Sequence, residues 1–316
     1  MKKLLLSLLG LALALPLSAQ AAWPDKTITV IVPFGAGGTA DASGRLVARE
    51  LEKRLGTKII VKNVAGATGT LGAAEVARAK ADGYTLGWFP PGPSVGMPNM
   101  RALPYKRDSF QPVGMVFEEV SYFTTAKTAP WNDLDALIKD VKANPQKYVY
   151  GAPGLGGAVH LSIYSMLKTL GLVSDCKFVP ERSNADILKA IAGGTTHFHA
   201  AQGTELQRFD LKTFFVADDQ RNPSFPDVPT AKELGYDVPR ITNWYGLFAP
   251  AGISDDVLTK LSKAMTEMAS DPEFQAAAKQ MSCTVHYLPT KEFTEFYKNQ
   301  YATYGDLIKE VTAKAE

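Results

Sequence analysis

The feature that most constrains this chain is the passage from Thr27 to Leu55. A β-branched run, TITVIV, passes through VPFGAGGTADASGR into apolar residues at helical spacing: Leu46, Val47, Leu51 and Leu55. Continuous β-branched runs suit a strand buried on both faces. The spacing that follows suits an amphipathic helix, closed by Gly56 as a C-terminal glycine cap. The same sentence is then repeated in different words: a second strand KIIVKN, a second small-residue turn VAGATGT, a helix over Leu71–Ala79, and a third strand YTLGWF. Strands alternating with helices predict a parallel sheet. Its turns gather at the carboxyl edge of the strands, where sheets of this kind bind ligands.

Pro90-Pro91-Gly92-Pro93 interrupts this rhythm. VGMVFEEVSYFTTA reads as one or two strands, and Asp133–Ala143 as a helix capped by Asn132. A second α/β unit follows: strand YVYG, turn APGLGGAVH, helix LSIYSMLKTL, strand KFVP and helix ADILKAIAGG. Leu211–Ala217 is a further strand. Beyond a proline-rich irregular segment and TNWYGLFAPAG, helical patterns occupy Ser254–Ala269 and Pro272–Met281. The chain finishes on an aromatic-rich helix.

Gly35-Ala36-Gly37-Gly38-Thr39-Ala40 fits the G-x-G-x-x-A form of a dinucleotide fingerprint. Such a turn lets backbone N–H groups converge, and the helix behind it adds a positive N-terminal end. A helix end contributes roughly 0.3–1 kcal/mol to an exposed charge, and about 2 kcal/mol when partly buried. This predicts an anion without naming it. A dinucleotide also needs an acidic residue at the end of the second strand, and here that strand ends Lys62-Asn63. A tight turn with no ligand remains the alternative for this loop taken alone. The turns Val64–Thr70 and Pro153–His160 also open helices at strand ends. Three such turns around one cleft, with the hydroxyls of Thr39 and Thr68, would hold a carboxylate without any arginine. His197 and His199 share a strand face, but no nearby Cys, Asp or Glu completes a metal site. No G-x-S-x-G elbow offers a hydrolytic serine. No cofactor is expected.

The N-terminus sets the compartment. Met1-Lys2-Lys3, the apolar run Leu4–Leu17 and Ala19-Gln20-Ala21 have the form of a secretory leader with an A-x-A cleavage site. The apolar run is short for a span of about 20 residues. Residues 1–21 are read as a cleaved signal peptide, and free nicotinamide cofactor is not expected where the product goes. The formal net charge is +2, and Lys2 and Lys3 leave with the leader, so the processed chain is formally neutral. Neutrality without a basic run gives no support to nucleic acid or anionic membrane as a partner. In an oxidising compartment Cys176 and Cys283 are a candidate disulfide pair.

The motifs WPDKTITVIVPFGAGGTAD, VKNVAGATGTLGA, ADGYTL, ALPYKRDSFQPVGMV, DVPTAKELGY and NWYGLFAPAG occur in one order and spacing over nearly the whole processed chain. In these the chain resembles the Bug-type periplasmic solute receptors of tripartite tricarboxylate transporters. The resemblance implies an α/β, two-lobed periplasmic binding protein of type II-like form, each lobe a mixed, mainly parallel sheet flanked by helices. Residues 22–120 with 248–316 would form one lobe and 121–247 the other, with crossovers near 117–126 and 243–250. A Cys176–Cys283 bond would then cross the hinge. The resemblance implies a monomeric receptor without catalysis. It would bind a small organic carboxylate and dock on the membrane subunits of such a transporter. A receptor that signals to a sensor, and an extracytoplasmic enzyme on the same scaffold, are the alternatives.

Carried onto this chain, one ligand carboxylate would meet the first turn at Phe34, Gly37, Gly38, Thr39, Ala40 and Asp41, and the second turn at Thr68 and Gly69. Asp41 is read as a loop-ordering residue, since its charge would repel an anion. The third turn, with Gly156, Gly157, Ala158 and His160, would close over the other end. The chain departs from the family pattern at Pro180-Glu181-Arg182-Ser183-Asn184 and in the wall Trp88–Ser94. Arg182, at a strand's carboxyl end, suits bidentate pairing with a distal carboxylate. Arg182, Ser183 and the wall, Ser94 included, are expected to set selectivity.

Overall fold

A computed structural model describes residues 23–153, 155–181, 183–281 and 283–313. The leader expected at 1–21 lies outside these residues, as does Arg182. The first third forms β1 (Ile28–Val32), α1 (Thr39–Leu55), β2 (Ile59–Asn63), α2 (Thr70–Arg78), β3 (Thr85–Phe89), α3 (Met97–Met100) and β4 (Phe110–Glu119). The middle forms β5 (Ser121–Ala126), α4 (Leu134–Ala143), β6 (Tyr148–Pro153), α5 (Ala158–Thr169), β7 (Cys176–Glu181), α6 (Asn184–Ala192), β8 (His199–Gln202), α7 (Gly203–Leu206) and β9 (Leu211–Val216). The last part forms β10 (Asn243–Pro250), α8 (Asp255–Ala269), α9 (Pro272–Gln280), β11 (Val285–Leu288) and α10 (Thr290–Ala313).

One six-stranded sheet has the order β11-β4-β10-β3-β1-β2. Its parallel pairs are β1–β2 and β1–β3, while β10 and β11 run antiparallel to their neighbours. The parallel part is therefore the strand–helix alternation read from the sequence, and the antiparallel part is made where the chain returns. β1 shows why its sequence is apolar throughout. Ile28, Val30 and Val32 pack on one side with α1, α8 and α9 through Leu51, Leu261 and Phe274. Ile31 points to the other side, where Ala73 of α2 and Phe293 and Tyr304 of α10 lie. Full burial of each such side chain contributes roughly 1.5–3 kcal/mol.

The middle of the chain has its own core around Phe123, Trp131, Ile163, Phe198 and Phe215. It holds an antiparallel β8-β5-β9 sheet and a parallel β6–β7 pair, linked by a parallel bridge from Tyr150 to Phe198. The chain passes between the two regions at Val120, from β4 into β5, and again in the segment before β10. β10 pairs with β4 from Asn243 onward, so the boundary expected at 247/248 falls inside one strand of the six-stranded sheet.

The two passages are tied together. Arg240, before β10, donates to both Glu118 oxygens at 2.6 and 2.9 Å and to Asp218 at 2.8 Å. Thr242 donates to Glu118 at 2.7 Å, and His286 of β11 also bonds Glu118. Burial alone would raise the Glu118 pKa, but hydrogen bonds from His286, Arg240 and Thr242 bring it down to about 2. Cys176 and Cys283 are free thiols, each with its pKa pushed up by burial.

Candidate functional site

A cavity of about 420 Å³ opens between the two regions. Its lining comes from strand ends on one edge: Phe34 after β1, Pro90 and Gly92 after β3, Pro153 at the end of β6, Asn184 after β7 and Gln202 closing β8. Asn243 and Tyr245, at the start of β10, complete the lining. This is the carboxyl edge of the parallel strands, where α/β sheets take ligands.

Two helix starts meet in this cavity, Gly38-Thr39-Ala40 of α1 and Gly157-Ala158-Val159 of α5. Each N-cap is a glycine with no side-chain cap hydrogen bond. Helices α4, α8 and α9, by contrast, are capped by Asp133, Ser254 and Asp271. The first N–H groups of a helix lack partners within it. In α1 and α5 they are left free of a side-chain cap where the cavity lies. A Cβ built on Gly38 would meet nothing within 4 Å, and its φ of −84° is ordinary. Neither packing nor backbone strain calls for glycine there. A side chain would instead protrude into the free space.

Both turns are held by the same device. Gly37 and Gly156 adopt positive φ, 87° and 75°, which favours glycine. The N–H of Gly37 donates to Asp41 Oδ2 at 2.9 Å, and the N–H of Gly156 donates to His160 Nδ1 at 3.2 Å. Asp41 also accepts from Asn63 at 2.9 Å and pairs with Arg45 at 2.9 Å. The Arg45 hydrogen bond is the main reason its pKa drops to about 2. His160 is buried beside Tyr150, Tyr164 and Phe178, and burial lowers its pKa to about 4. It is therefore neutral. Since Nδ1 accepts, the proton sits on Nε2.

Comparisons with known proteins give the family. The sequence profile described as "Tripartite tricarboxylate transporter family receptor" matches residues 44–313. The chain belongs to that receptor family. Protein BugT of Bordetella pertussis is 29% identical over 310 residues, covering 96% of this chain and 94% of the relative. A TctC solute binding protein from Polaromonas, solved with no ligand, superposes with a TM-score of 0.80 at 26% identity, covering 91% of this chain and 99% of that one. MatC from Rhodopseudomonas palustris, solved with bound malate, gives a TM-score of 0.74 at 27% identity, covering 90% and 99%. The fold is thus the two-lobed periplasmic binding-protein fold, and the chain is a solute-binding receptor, not an enzyme. Among the described residues no helix is long and apolar enough to cross a membrane.

Within the receptor, Phe34, Gly38, Thr39, Ala40, Gly157 and Ala158 are brought together in the cavity lining. Gly37, Asp41, Gly156 and His160 lie one step behind, as the supports just described. Thr68 is exposed with φ of 58°, and Gly69 packs toward Phe34 and Pro93. Neither lines the cavity. Ser94 is fully buried and donates to Pro90 O at 2.8 Å, so it braces the wall from within. Trp88 is also buried, with Nε1 donating to Ser43 at 3.0 Å. Ser183 caps α6: its Oγ accepts from the Asp186 N–H and donates to the Asp186 carboxylate. That leaves it little capacity for a ligand. His197 Nδ1 accepts from the Val149 N–H and His199 Nε2 meets Glu205. Among the described residues no group of three metal-binding side chains exists.

Sequence reasoning missed four polar lining residues: Asn184, Gln202, Asn243 and Tyr245. Asn184 stood in the atypical stretch after β7. The others are ordinary strand-end residues, placed in the floor only by the two passages.

Proposed function

We propose that this receptor captures a small organic carboxylate in the 420 Å³ cavity between its lobes and delivers it, as a monomer in the periplasm, to the membrane subunits of a tripartite tricarboxylate-type transporter. The observation that carries this reading is the meeting of two helix N-termini, one from each lobe, with glycine caps and no capping side chain. An anion between them bridges the lobes and favours the closed state by its differential affinity. MatC, a relative with bound malate, supports the carboxylate class. Residues 1–21 act as a cleaved leader, so the exported protein begins at Ala22, which N-terminal sequencing checks.

A thermal-shift panel of mono-, di- and tricarboxylates with their neutral amides tests the ligand class. A ligand at about a hundredfold its Kd adds roughly 2.7 kcal/mol of stability. Shifts with acids, lost in Gly38→Leu without loss of fold, support the reading. Shifts confined to compounds lacking any carboxylate overturn it.

A further inference from the structure

The wall that follows β3 ends in a glycine that its own backbone does not call for. Gly96 closes a π-helical turn, Gly92–Gly96, and leads into α3 with φ of −65° and ψ of −57°, ordinary helical values. Alanine is the better helix former in such a place. What opposes it is a neighbour. A Cβ built on Gly96 would come 2.9 Å from Gly156 O, whereas the next atoms beyond its own chain neighbours are at 3.9 Å. Gly156 belongs to the third turn, in the other lobe. A glycine at 96 thus lets the backbones of the two lobes meet, an approach that a Cβ would block.

On the first lobe this meeting point is firmly held. π-helical turns are rare and are frequent at functional sites. In this one, side chains hold three successive carbonyls. Tyr105 Oη donates to Pro93 O at 2.7 Å, Tyr297 Oη to Ser94 O at 2.9 Å and Asn99 Nδ2 to Val95 O at 3.0 Å. Tyr105 and Tyr297 are buried, so the turn cannot retreat from an incoming backbone without stranding buried hydrogen-bonding groups. Gly96 is not part of the cavity lining, which takes Pro90 and Gly92 from the same wall.

We propose that Gly96 is the seat on which the third turn lands when the lobes close, and hence a positioning residue for solute capture. It touches no solute. It sets how far Gly157 and Ala158 descend over the cavity, and so how much the closed state gains from the solute. This goes beyond the carboxylate reading, since it holds for any solute gripped between the lobes. The competing arrangement is a permanent packing contact, because Leu161 and Tyr164 of α5 share a core with α10.

Gly72 supplies a matched control. It is a buried glycine of α2, and its Cβ would come 2.9 Å from Pro33 Cα, within one lobe. In thermal melts of the full processed protein without added solute, Gly72→Ala should melt below the parent, and Gly96→Ala at the parent's temperature or above. Calorimetry with malate, succinate, glutarate and adipate should find Gly96→Ala at least tenfold weaker than the parent for each acid that binds. Small-angle X-ray scattering, with and without these acids, should give Gly96→Trp a larger radius of gyration than the parent in at least one of the two conditions. A Gly96→Ala melt lowered like that of Gly72→Ala shows a permanent contact and overturns the proposal. Unchanged affinity in Gly96→Ala also overturns it, and leaves the carboxylate receptor standing. If only compounds without a carboxylate bind the parent, the carboxylate reading falls, and the same affinity ratio measured with them decides the seat. If nothing binds the parent, scattering decides, and equal radii in both conditions overturn the proposal. Should Gly96→Trp fail to fold, the melts and affinities of Gly96→Ala decide.

Discussion

The two turns that face each other across the cavity share a backbone and differ in chemistry. In each, a left-handed glycine precedes a glycine N-cap, and a side chain four residues on accepts the first glycine's N–H. In the first lobe that acceptor is an ionised carboxylate, Asp41, paired with Arg45 and hydrogen-bonded by the Asn63 amide. In the second it is a neutral imidazole, His160, packed among aromatic rings. An acceptor beside the proposed anion site has two ways not to repel an anion. It can carry a charge and be compensated, or carry none. The first way needs partners at the surface, and Arg45 is half exposed. The second needs burial, and His160 is 1% exposed.

This difference predicts two separate acid transitions. His160 has a folded pKa of about 4 against an ordinary 6.5. Its contribution is fully present above 6.5 and is lost as pH falls from 6.5 toward 4, because the unfolded chain binds the proton more readily. At 1.36 kcal/mol per pH unit, the loss amounts to about 3 kcal/mol. His160→Phe should lack this component, so denaturant melts at pH 4 and 7 should show a smaller acid loss in the variant. Parallel losses in variant and parent would break the comparison. Asp41, lowered from 3.8 to about 2, contributes above 3.8 and loses its contribution only as pH falls through that lower window.

Removing the charged acceptor comes next in size. Asp41→Ala strands the Gly37 N–H and the Asn63 amide, and should cost about 2 kcal/mol in chemical denaturation at pH 7. Asp41→Asn should recover about half by keeping one acceptor oxygen. Equal losses in both would mean that charge alone, not the hydrogen bond, orders the turn.

The glycines give a smaller effect that sharpens the contrast. Gly37→Ala meets open space, so its cost is the positive φ alone, about 1 kcal/mol. Gly156→Ala carries the same cost and also drives a Cβ into Met100, so it should lose more. A reversed order in thermal melts would show that the second turn relaxes more easily than the first. Smallest of all is Arg45→Ala. Its half-exposed pair is screened by salt and should be worth under about 1 kcal/mol, shrinking further when ionic strength is raised.

What was legible in the sequence follows from the range of the forces. The strand–turn–helix units of the first hundred residues are local patterns, and β1, α1, β2, α2 and β3 formed where the periodicity placed them. The glycine turns were legible for the same reason. Asn132, expected to cap α4, is displaced by Asp133, whose carboxylate accepts the Ala136 N–H; between adjacent cap-forming residues the sequence does not choose. Ser183 and Ser94 stood in the right stretches, but their hydroxyls are consumed by partners three and four residues away. Asn243 and Tyr245 reach the cavity only because β10 lies between β4 and β3, an order no local pattern encodes.

The ion cluster at the passages has a mechanical consequence. Glu118, at the end of β4, holds Arg240 and Thr242 just before β10, with His286 of β11 joining them to the sheet. Two passages held together there resist sliding past each other, so a closure of the lobes would turn about this point and would not shear. A small rotation there would carry the α5 turn across the mouth of the cavity. Changes to the lining can then alter what the lobes shut on while the path of closure stays the same.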